Sequence, residues 1–247
     1  MTPNLPPANA RGAVPLGRRE LEALRAFSTP AVCDAVAELA PERRASGFTT
    51  GHLFAARPGL APMVGYVRTA TVRSGAPAGP EPEAAAADLL GWLEAVGQGR
   101  TPVILALQEL DGRDARACCG AVLAHLLAAI GCVGLLTDGA LCGLPRLPEG
   151  FQALAAGVRP AGGWPRGLSA AGRITVAGLR IADGDILHAD ASGAVLVPPE
   201  LVRAIPDHIA QMRDRDAALL AECRRPGVEF NRLKAVLVGR RQTRWCP

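Results

Sequence analysis

Lysine is nearly absent from this sequence, and with it one common class of catalytic site. Lys234 is the one lysine among 247 residues, so catalysis through a Schiff base would depend on that residue alone. Arginine supplies almost all of the positive charge, and the basic residues are spread from Arg11 to Arg244, with a net charge of +4. Nucleic-acid-binding proteins concentrate basic residues on one face. We therefore predict no nucleic-acid partner.

Paired cysteines and long apolar runs are absent as well. The seven cysteines include no C-x-x-C pair and lie mostly in or beside apolar runs, which is typical of reduced thiols rather than of disulfides or a zinc site. No stretch approaches the roughly 18 consecutive apolar residues that a membrane-spanning helix requires. The first 17 residues lack the charged and apolar regions of a secretory signal. These absences predict a cytoplasmic protein with no membrane partner.

The apolar patterns predict an α/β fold of one domain, with a β core flanked by helices. The length and the 49% hydrophobic content suit a single sizeable core. We predict a disordered lead-in over residues 1–18, the domain over 19–238 and a C-terminal tail over 239–247. Alternating and continuous apolar segments predict strands, and residues 115–130, apolar almost all round, predict a helix buried against the sheet.

Four separated segments carry a resemblance to a known family. They are STPAVCDAVAEL, MVGYVRTATV, CGAVLAHLLAAIGCVGLLTDGALCG and VAGLRIADGDILHADASGAVLVPPEL. In their order and spacing the chain resembles the RraA-like family over residues 20–237. That family includes class II 4-hydroxy-4-methyl-2-oxoglutarate and 4-carboxy-4-hydroxy-2-oxoadipate aldolases and protein regulators of RNase E. The resemblance implies a homotrimer, or a hexamer formed as a dimer of trimers, with the pocket between neighbouring subunits.

The resemblance also implies a reaction and the residues that it requires. Family enzymes cleave a 2-oxo acid in a retro-aldol reaction and decarboxylate oxaloacetate, both through a pyruvate enolate. Such a site needs Mg²⁺ or Mn²⁺, an arginine for the carboxylate and a proton shuttle. The family motif supplies them as a Gly-Asp or Gly-Glu pair at a helix start, an Arg-Asp pair about twenty residues later, and a further acid three residues after that.

All four reactive side chains of the motif are replaced in this chain. Gly120 matches the family's glycine, but Ala121 stands in place of the acid that follows it. Cys142 takes the arginine position, Gly143 takes the position of the metal-binding aspartate, and Arg146 replaces the later acid. The resemblance therefore implies a degenerate active site.

Without an acid at Gly143, a divalent ion has no evident ligand, because Mg²⁺ and Mn²⁺ need carboxylate oxygens. We predict that the protein uses no metal and no other cofactor. Asp111, Asp114 or Glu149 are the alternatives, as displaced ligands of a rebuilt site.

Backbone groups can still bind an anion at the same place. Gly120, Ala121, Val122 and Leu123 are expected to present N–H groups at a helix N-terminus, which favours a negatively charged ligand. Arg146 returns a positive charge to the pocket if it points inward and is a surface arginine if it points outward. These five residues are the predicted binding site for a small carboxylate.

Cys142 and Asp138 are the candidate catalytic residues. A cysteine at the mouth of an anion site can act as a nucleophile, and a helix N-terminus or Arg146 would lower its pKa. His125 and His188 are expected to be packed and hydrogen-bonded rather than partners of Cys142. Asp138 belongs to the turn that aims the Arg-Asp pair in the family.

Three functional hypotheses follow. The first is an atypical lyase- or isomerase-type enzyme acting on a small 2-oxo acid-like carboxylate without the family's metal. The second is a non-catalytic regulator or scaffold that binds another protein. The third is a metal-dependent aldolase or oxaloacetate decarboxylase with a rebuilt site. Methyl transfer is rejected, because no Gly-rich nucleotide loop follows a first strand.

Overall fold

A computed structural model describes residues 16–75, 82–98, 100–112, 115–162 and 166–239 of the chain. The predicted lead-in over 1–18 and tail over 239–247 lie almost entirely outside these residues, and so does Asp114. The helices are α1 (Arg18–Leu24), α2 (Thr29–Leu39), α3 (Pro82–Gly97), α4 (Ala121–Ala129), α5 (Ile205–Cys223) and α6 (Phe230–Gly239). The strands are β1 (Phe54–Ala55), β2 (Met63–Arg73), β3 (Val103–Glu109), β4 (Ala117–Cys119), β5 (Cys132–Thr137), β6 (Ala140–Leu141), β7 (Gln152–Ala155), β8 (Gly157–Val158), β9 (Arg166–Ala170), β10 (Arg173–Val176), β11 (Leu179–Ala182), β12 (Ile186–Asp190) and β13 (Gly193–Leu196).

A nearly closed β sheet forms the centre of the fold. Its strand order is β1-β7-β5-β3-β2-β12-β13, and β9 also pairs with β2. The strands β2, β3, β5 and β7 run parallel to one another, whereas β12 and β9 pair antiparallel with β2. Buried side chains dominate the central strands, as expected for parallel strands covered on both faces. The predicted single α/β domain is therefore confirmed.

Three hydrophobic clusters cover the two faces of this sheet. One packs residues of α3 and α4 against β3 and β5. A second joins α1, α2 and the start of α5 to β2, β12 and β13. The third lies between the inner face of the sheet and the β10–β11 hairpin. Helices therefore pack on one side of the sheet, and the β10–β11 hairpin packs on the other.

The N-terminal helices follow the sequence pattern closely. Ser28 is the N-cap of α2, and its side chain accepts a hydrogen bond from the backbone N–H of Ala31. Behind this cap, His188 is fully buried, with Nδ1 2.9 Å from Thr29 Oγ1 and Nε2 donating to Leu24 O. Burial lowers the pKa of His188. The prediction that this histidine is packed and hydrogen-bonded is confirmed.

The predicted buried helix over 115–130 is wrong in two respects. Its first part is the strand β4, so Cys118 and Cys119 belong to a sheet and the helix begins only after Gly120. Its second part is not buried all round, because Val122 is 76% exposed and Leu126 38% exposed. One apolar face of α4 therefore packs on the core, and a second apolar face points outward.

Two further observations concern the thiols and the helices of the described residues. The thiols of Cys118, Cys119, Cys132 and Cys142 form no disulfide. No helix in the described part of the chain is long and apolar enough to cross a bilayer.

Candidate functional site

A small parallel sheet brings the two halves of the predicted site together. Strands β4, β6 and β8 form it, with Ala117 opposite Ala140 and Cys119 opposite Leu141. The backbone N–H of Cys142 donates to Cys119 O at 3.0 Å. Because β4 and β6 run in the same direction, their carboxyl ends meet, and the residues that follow them lie side by side.

Cys142 lies where the carboxyl ends of β4 and β6 meet at the start of α4, a place that we call the α4 junction. Its Sγ lies 2.9 Å from the position that a Cβ atom on Gly120 would take, and 3.4 Å from the corresponding position on Gly162. The side chain is partly buried. Two glycines from distant parts of the chain therefore leave the space that the Cys142 thiol occupies.

Arg146 folds back over the same junction. The turn from Leu144 to Arg146 is a single 3-10 turn that follows Gly143, whose φ of 66° is left-handed. A Cβ on Gly143 would lie 3.7 Å from one guanidinium nitrogen of Arg146 and 3.8 Å from the Ala121 Cβ. Arg146 itself is exposed. The guanidinium group of Arg146 and the Ala121 side chain thus both approach Gly143, and Arg146 remains open to solvent.

A hydrogen bond fixes the turn against α4. His125 Nε2 lies 3.2 Å from Arg146 O, and since a carbonyl only accepts, this nitrogen carries the proton. That bond occupies His125 on the exposed side of the helix. Within the described residues, no hydrogen bond joins a histidine to the Cys142 thiol.

The N-terminus of α4 is open to an anion. No side chain caps it at Gly120, and the first turn contains no acidic residue. Unsatisfied N–H groups and the positive end of the helix dipole meet here. Gly120 lies against the Cys142 thiol, and Ala121 lies close to Gly143; Val122 and Leu123 follow them in the first turn of α4.

Asp138 belongs to a neighbouring polar network. Its Oδ1 accepts a hydrogen bond from the backbone N–H of Glu109 at 2.8 Å, and burial raises its pKa. The Glu109 carboxylate is buried and accepts hydrogen bonds from Ser74 and from the backbone N–H of Asp111. The sequence analysis missed this network, since Ser74 follows β2, Glu109 ends β3 and Asp138 follows β5, so the three share no local motif. No bond to Cys142 or Arg146 is present among those described for Asp138.

The residues at the family's metal position do not suit a divalent ion. Ala121, Cys142 and Gly143 supply no carboxylate oxygen, and Mg²⁺ and Mn²⁺ prefer oxygen ligands. Asp111 is held by Arg73 and by the backbone N–H of Gly75. In the described ranges, no group of three His, Cys, Asp or Glu side chains is arranged to hold a metal ion.

Two aspartates outside the junction have structural partners. Asp185 accepts from the backbone N–H of Ala182, and Asp190 accepts from those of Thr29 and Ser192. Both carboxylates thus satisfy backbone amides. Burial raises the pKa of the Cys118 thiol to about 12, so this cysteine is a packing residue at neutral pH.

Comparison with known proteins gives a family match over most of the domain. Residues 29–196 match the family profile described as RraA-like, Aldolase/RraA. No functionally curated protein matches the chain significantly.

Solved structures with the same fold include two RraA proteins. RraAS2 from Streptomyces coelicolor, described as an unusual member of the RNase ES inhibitor RraA protein family, is 23% identical with a TM-score of 0.57 over 81% of this chain and 94% of its own. The RNA-processing inhibitor RraA from Thermus thermophilus is 22% identical with a TM-score of 0.51 over 67% of this chain and 92% of its own. An uncharacterised protein from Pseudomonas syringae pv. tomato is 16% identical with a TM-score of 0.63, over 90% of this chain and 100% of its own. At these identities the likeness concerns the fold.

Proposed function

Because the chain belongs to the RraA-like family, we propose that it binds a small 2-oxo acid-like carboxylate at the N-terminus of α4 and converts it in an atypical lyase- or isomerase-type reaction. The observation that carries the proposal is the meeting of Arg146, Cys142 and the uncapped helix end at one junction. A carboxylate there would gain a charge-assisted hydrogen bond from Arg146 and others from backbone N–H groups.

The reaction is proposed to need no divalent metal. The positions that bear the acids of the family motif hold Ala121, Gly143 and Arg146. Replacing an acid by Arg146 changes the local charge by two units in the direction that repels a cation and attracts an anion. Positive charge that the family takes from the ion would then come from the guanidinium group and the helix dipole.

Cys142 is the proposed reactive side chain, and Asp138 is the second candidate. The thiol lies between Gly120 and the position of Gly162, close to where a ligand on the α4 amides would sit. Burial raises the pKa of Asp138, which is the direction that favours proton transfer near neutral pH. The proposed setting is a homotrimer or a hexamer in the cytoplasm, where thiols remain reduced.

The test is an assay of the purified full chain for pyruvate release from oxaloacetate and from 4-hydroxy-4-methyl-2-oxoglutarate, with Mg²⁺, with Mn²⁺ and with EDTA. Calorimetric titration with pyruvate and with oxalate is run beside it. The proposal expects carboxylate binding that EDTA leaves unchanged. Turnover that requires Mg²⁺ or Mn²⁺ would overturn it in favour of a rebuilt aldolase site, and no binding of either acid would overturn it altogether.

A second candidate function is a non-catalytic regulator or scaffold. The outward face of α4, with Val122 and Leu126 exposed beside the candidate site, favours contact with another polypeptide. Carboxylate binding without turnover of any 2-oxo acid would support this candidate over the enzyme.

A further inference from the structure

A cleft lies beside the β10–β11 hairpin, on a different part of the molecule from the α4 junction. Its volume is about 540 Å³, which falls within the range of small-molecule sites. The hairpin forms one wall, and the other comes from the 3-10 turn Pro41–Arg43, the start of β12 and the end of β13. The polar side chains that line it are those of Arg43, Gln108, Arg173, Thr175, Arg180 and Asp185, with Glu200 at one end.

Strand register places two of the arginines on one face of the hairpin. Arg173 pairs with Ala182, and Thr175 pairs with Arg180. Side chains two residues apart on a strand share a face, so Arg173 and Arg180 are diagonal neighbours, roughly 7–8 Å apart at the backbone. Both are exposed, whereas the alternate residues of the hairpin are buried in the core. Two long guanidinium side chains from this face can therefore reach the same anion.

None of the three arginines forms an ion pair with a described residue. Asp185 is one of two acids in the wall, and one of its oxygens accepts from the backbone N–H of Ala182. Burial raises the pKa of Asp185, while the charges of Arg43 and Arg173 act in the opposite direction. Both guanidinium groups therefore act on this part of the cleft without pairing with its carboxylate.

Apolar residues complete the wall beside the arginines. Leu196 and Pro199 are partly exposed apolar residues of the wall, and the buried Ile186 and Val197 lie behind them in the lining. Cations next to an apolar surface favour a ligand that carries both an acidic group and a hydrocarbon part. The acidic group can then bind the arginines while the hydrocarbon part packs on the apolar residues.

The sheet separates this cleft from the candidate site. Gln108 lines the cleft, and its Oε1 accepts from the backbone N–H of Thr175. The preceding residue, Leu107, packs in the cluster that contains Cys119 and Leu123, beside the candidate site. Successive residues of a strand point to opposite faces. The two sites therefore lie on opposite faces of β3 and can be tested independently.

We propose that this cleft is a second ligand site, which binds a small organic anion with its phosphate or carboxylate group on Arg43, Arg173 and Arg180 and its apolar part on Leu196 and Pro199. Guanidinium groups bind both kinds of acid in the same forked geometry. The three guanidinium groups outnumber the two carboxylates of the lining, those of Asp185 and Glu200, so the doubly charged phosphate is favoured over the singly charged carboxylate.

The experiment is calorimetric titration of the full chain with three probes that share a ring: phenyl phosphate, benzoate and phenol. The expected order of affinity is phenyl phosphate, then benzoate, with no binding of phenol. The double variant Arg173→Gln/Arg180→Gln is expected to weaken phenyl phosphate binding about tenfold or more. Arg43→Gln, from the opposite wall, is expected to weaken it as well.

Two further variants decide where the probe binds. Arg19→Gln removes one exposed arginine outside the cleft and controls for net charge, and Arg146→Gln removes the arginine of the α4 junction. Both are expected to leave phenyl phosphate affinity within about twofold. The proposal is overturned if phenyl phosphate does not bind, if Arg19→Gln weakens it as much as the cleft variants do, or if only Arg146→Gln weakens it. Thermal unfolding of each variant without ligand checks that the fold is unchanged.

Discussion

The Cys142 thiol occupies the space in which a side chain on Gly120 would have to lie, with 2.9 Å between Sγ and the position of the missing Cβ. Backbone geometry alone does not require glycine here, since Gly120 has φ −120° and ψ −178°, which any residue adopts. The glycine at the start of α4 is therefore tied to the cysteine after β6 by packing.

The first prediction concerns this pair. Gly120→Ala should lower the free energy of unfolding by about 1–3 kcal/mol, because the added methyl group overlaps Sγ. Cys142→Ala removes that atom, so the double variant should be more stable than the sum of the two single changes predicts, by roughly 1 kcal/mol. Urea unfolding of the four proteins measures the coupling.

Gly172→Ala is the matched control for that cycle, because a Cβ at Gly172 meets no atom within 4 Å. It should show no coupling to Cys142→Ala. Strict additivity of Gly120→Ala and Cys142→Ala would contradict the contact.

The second prediction concerns pH and Asp138. Burial raises the pKa of Asp138 above its ordinary value of 3.8, so the folded chain binds this proton more tightly than the unfolded chain does. The resulting stabilisation is complete below pH 3.8 and is lost as the pH rises through the raised pKa. Asp138→Asn cannot ionise but keeps an oxygen that accepts from the Glu109 N–H.

The free energy of unfolding of Asp138→Asn, relative to the unsubstituted chain, should therefore increase as the pH rises from about 4 towards 7. Urea unfolding at several pH values measures it. A difference that stays constant or decreases over this range would show that the pKa is not raised. If Asp138 also transfers a proton in the reaction, the same variant loses turnover at pH 7 while it gains relative stability.

The third prediction concerns Arg146. Its guanidinium group lies beside Gly143, which the Ala121 side chain also approaches. Arg146→Gln should therefore weaken pyruvate binding about tenfold or more, because a hydrogen bond between charged groups is lost. Arg146→Lys keeps the charge without the fork and should bind with intermediate affinity. Calorimetric titration gives both values, with Arg19→Gln as the charge control.

Unchanged pyruvate affinity in Arg146→Gln would mean that this side chain is a surface arginine, which is the second of the two orientations left open by the sequence. The affinity of Arg146→Lys separates a charge effect from a geometric one. Equal losses in the lysine and glutamine variants would assign the effect to the forked hydrogen bonds alone.

Sequence patterns predicted the central strands well and the β4–α4 region poorly. The apolar runs of β2, β3 and β5 are long enough to indicate buried strands without knowledge of their partners. The strand β4 has three residues, and its pairing with β6 joins Ala117 to Ala140 across the chain. Such a short strand has no periodicity of its own, so its small and apolar residues were assigned to the helix that follows.

The candidate site was also predicted only in part. The glycines and the replaced motif residues were identified from order and spacing, and the structure does bring Gly120, Cys142 and Arg146 together. The network of Ser74, Glu109 and Asp138 was not predicted, because hydrogen bonds between residues at the ends of separate strands leave no pattern in the sequence. The arginine-lined cleft was missed for the same reason, since Arg43 and Arg173 are far apart in the chain.

The fourth prediction concerns the outward face of α4. Val122 and Leu126 are one turn apart and therefore share this face, with exposures of 76% and 38%. If neighbouring subunits cover it, Val122→Asp/Leu126→Asp should convert the proposed trimer or hexamer to a monomer, because burying two uncompensated carboxylates costs several kcal/mol. Light scattering after size-exclusion chromatography measures the mass.

Phe230→Asp is the control for this change, since Phe230 is also 76% exposed but lies on α6. It should leave the mass unchanged. Because Val122 also belongs to the proposed carboxylate site, the monomeric variant should lose pyruvate binding together with assembly. An unsubstituted chain that is already monomeric would contradict the prediction. The mass alone does not separate the two proposed functions, because the family resemblance implies the same assembly for its enzymes and for its regulators. Turnover of a bound carboxylate by the assembled protein is the result that separates them.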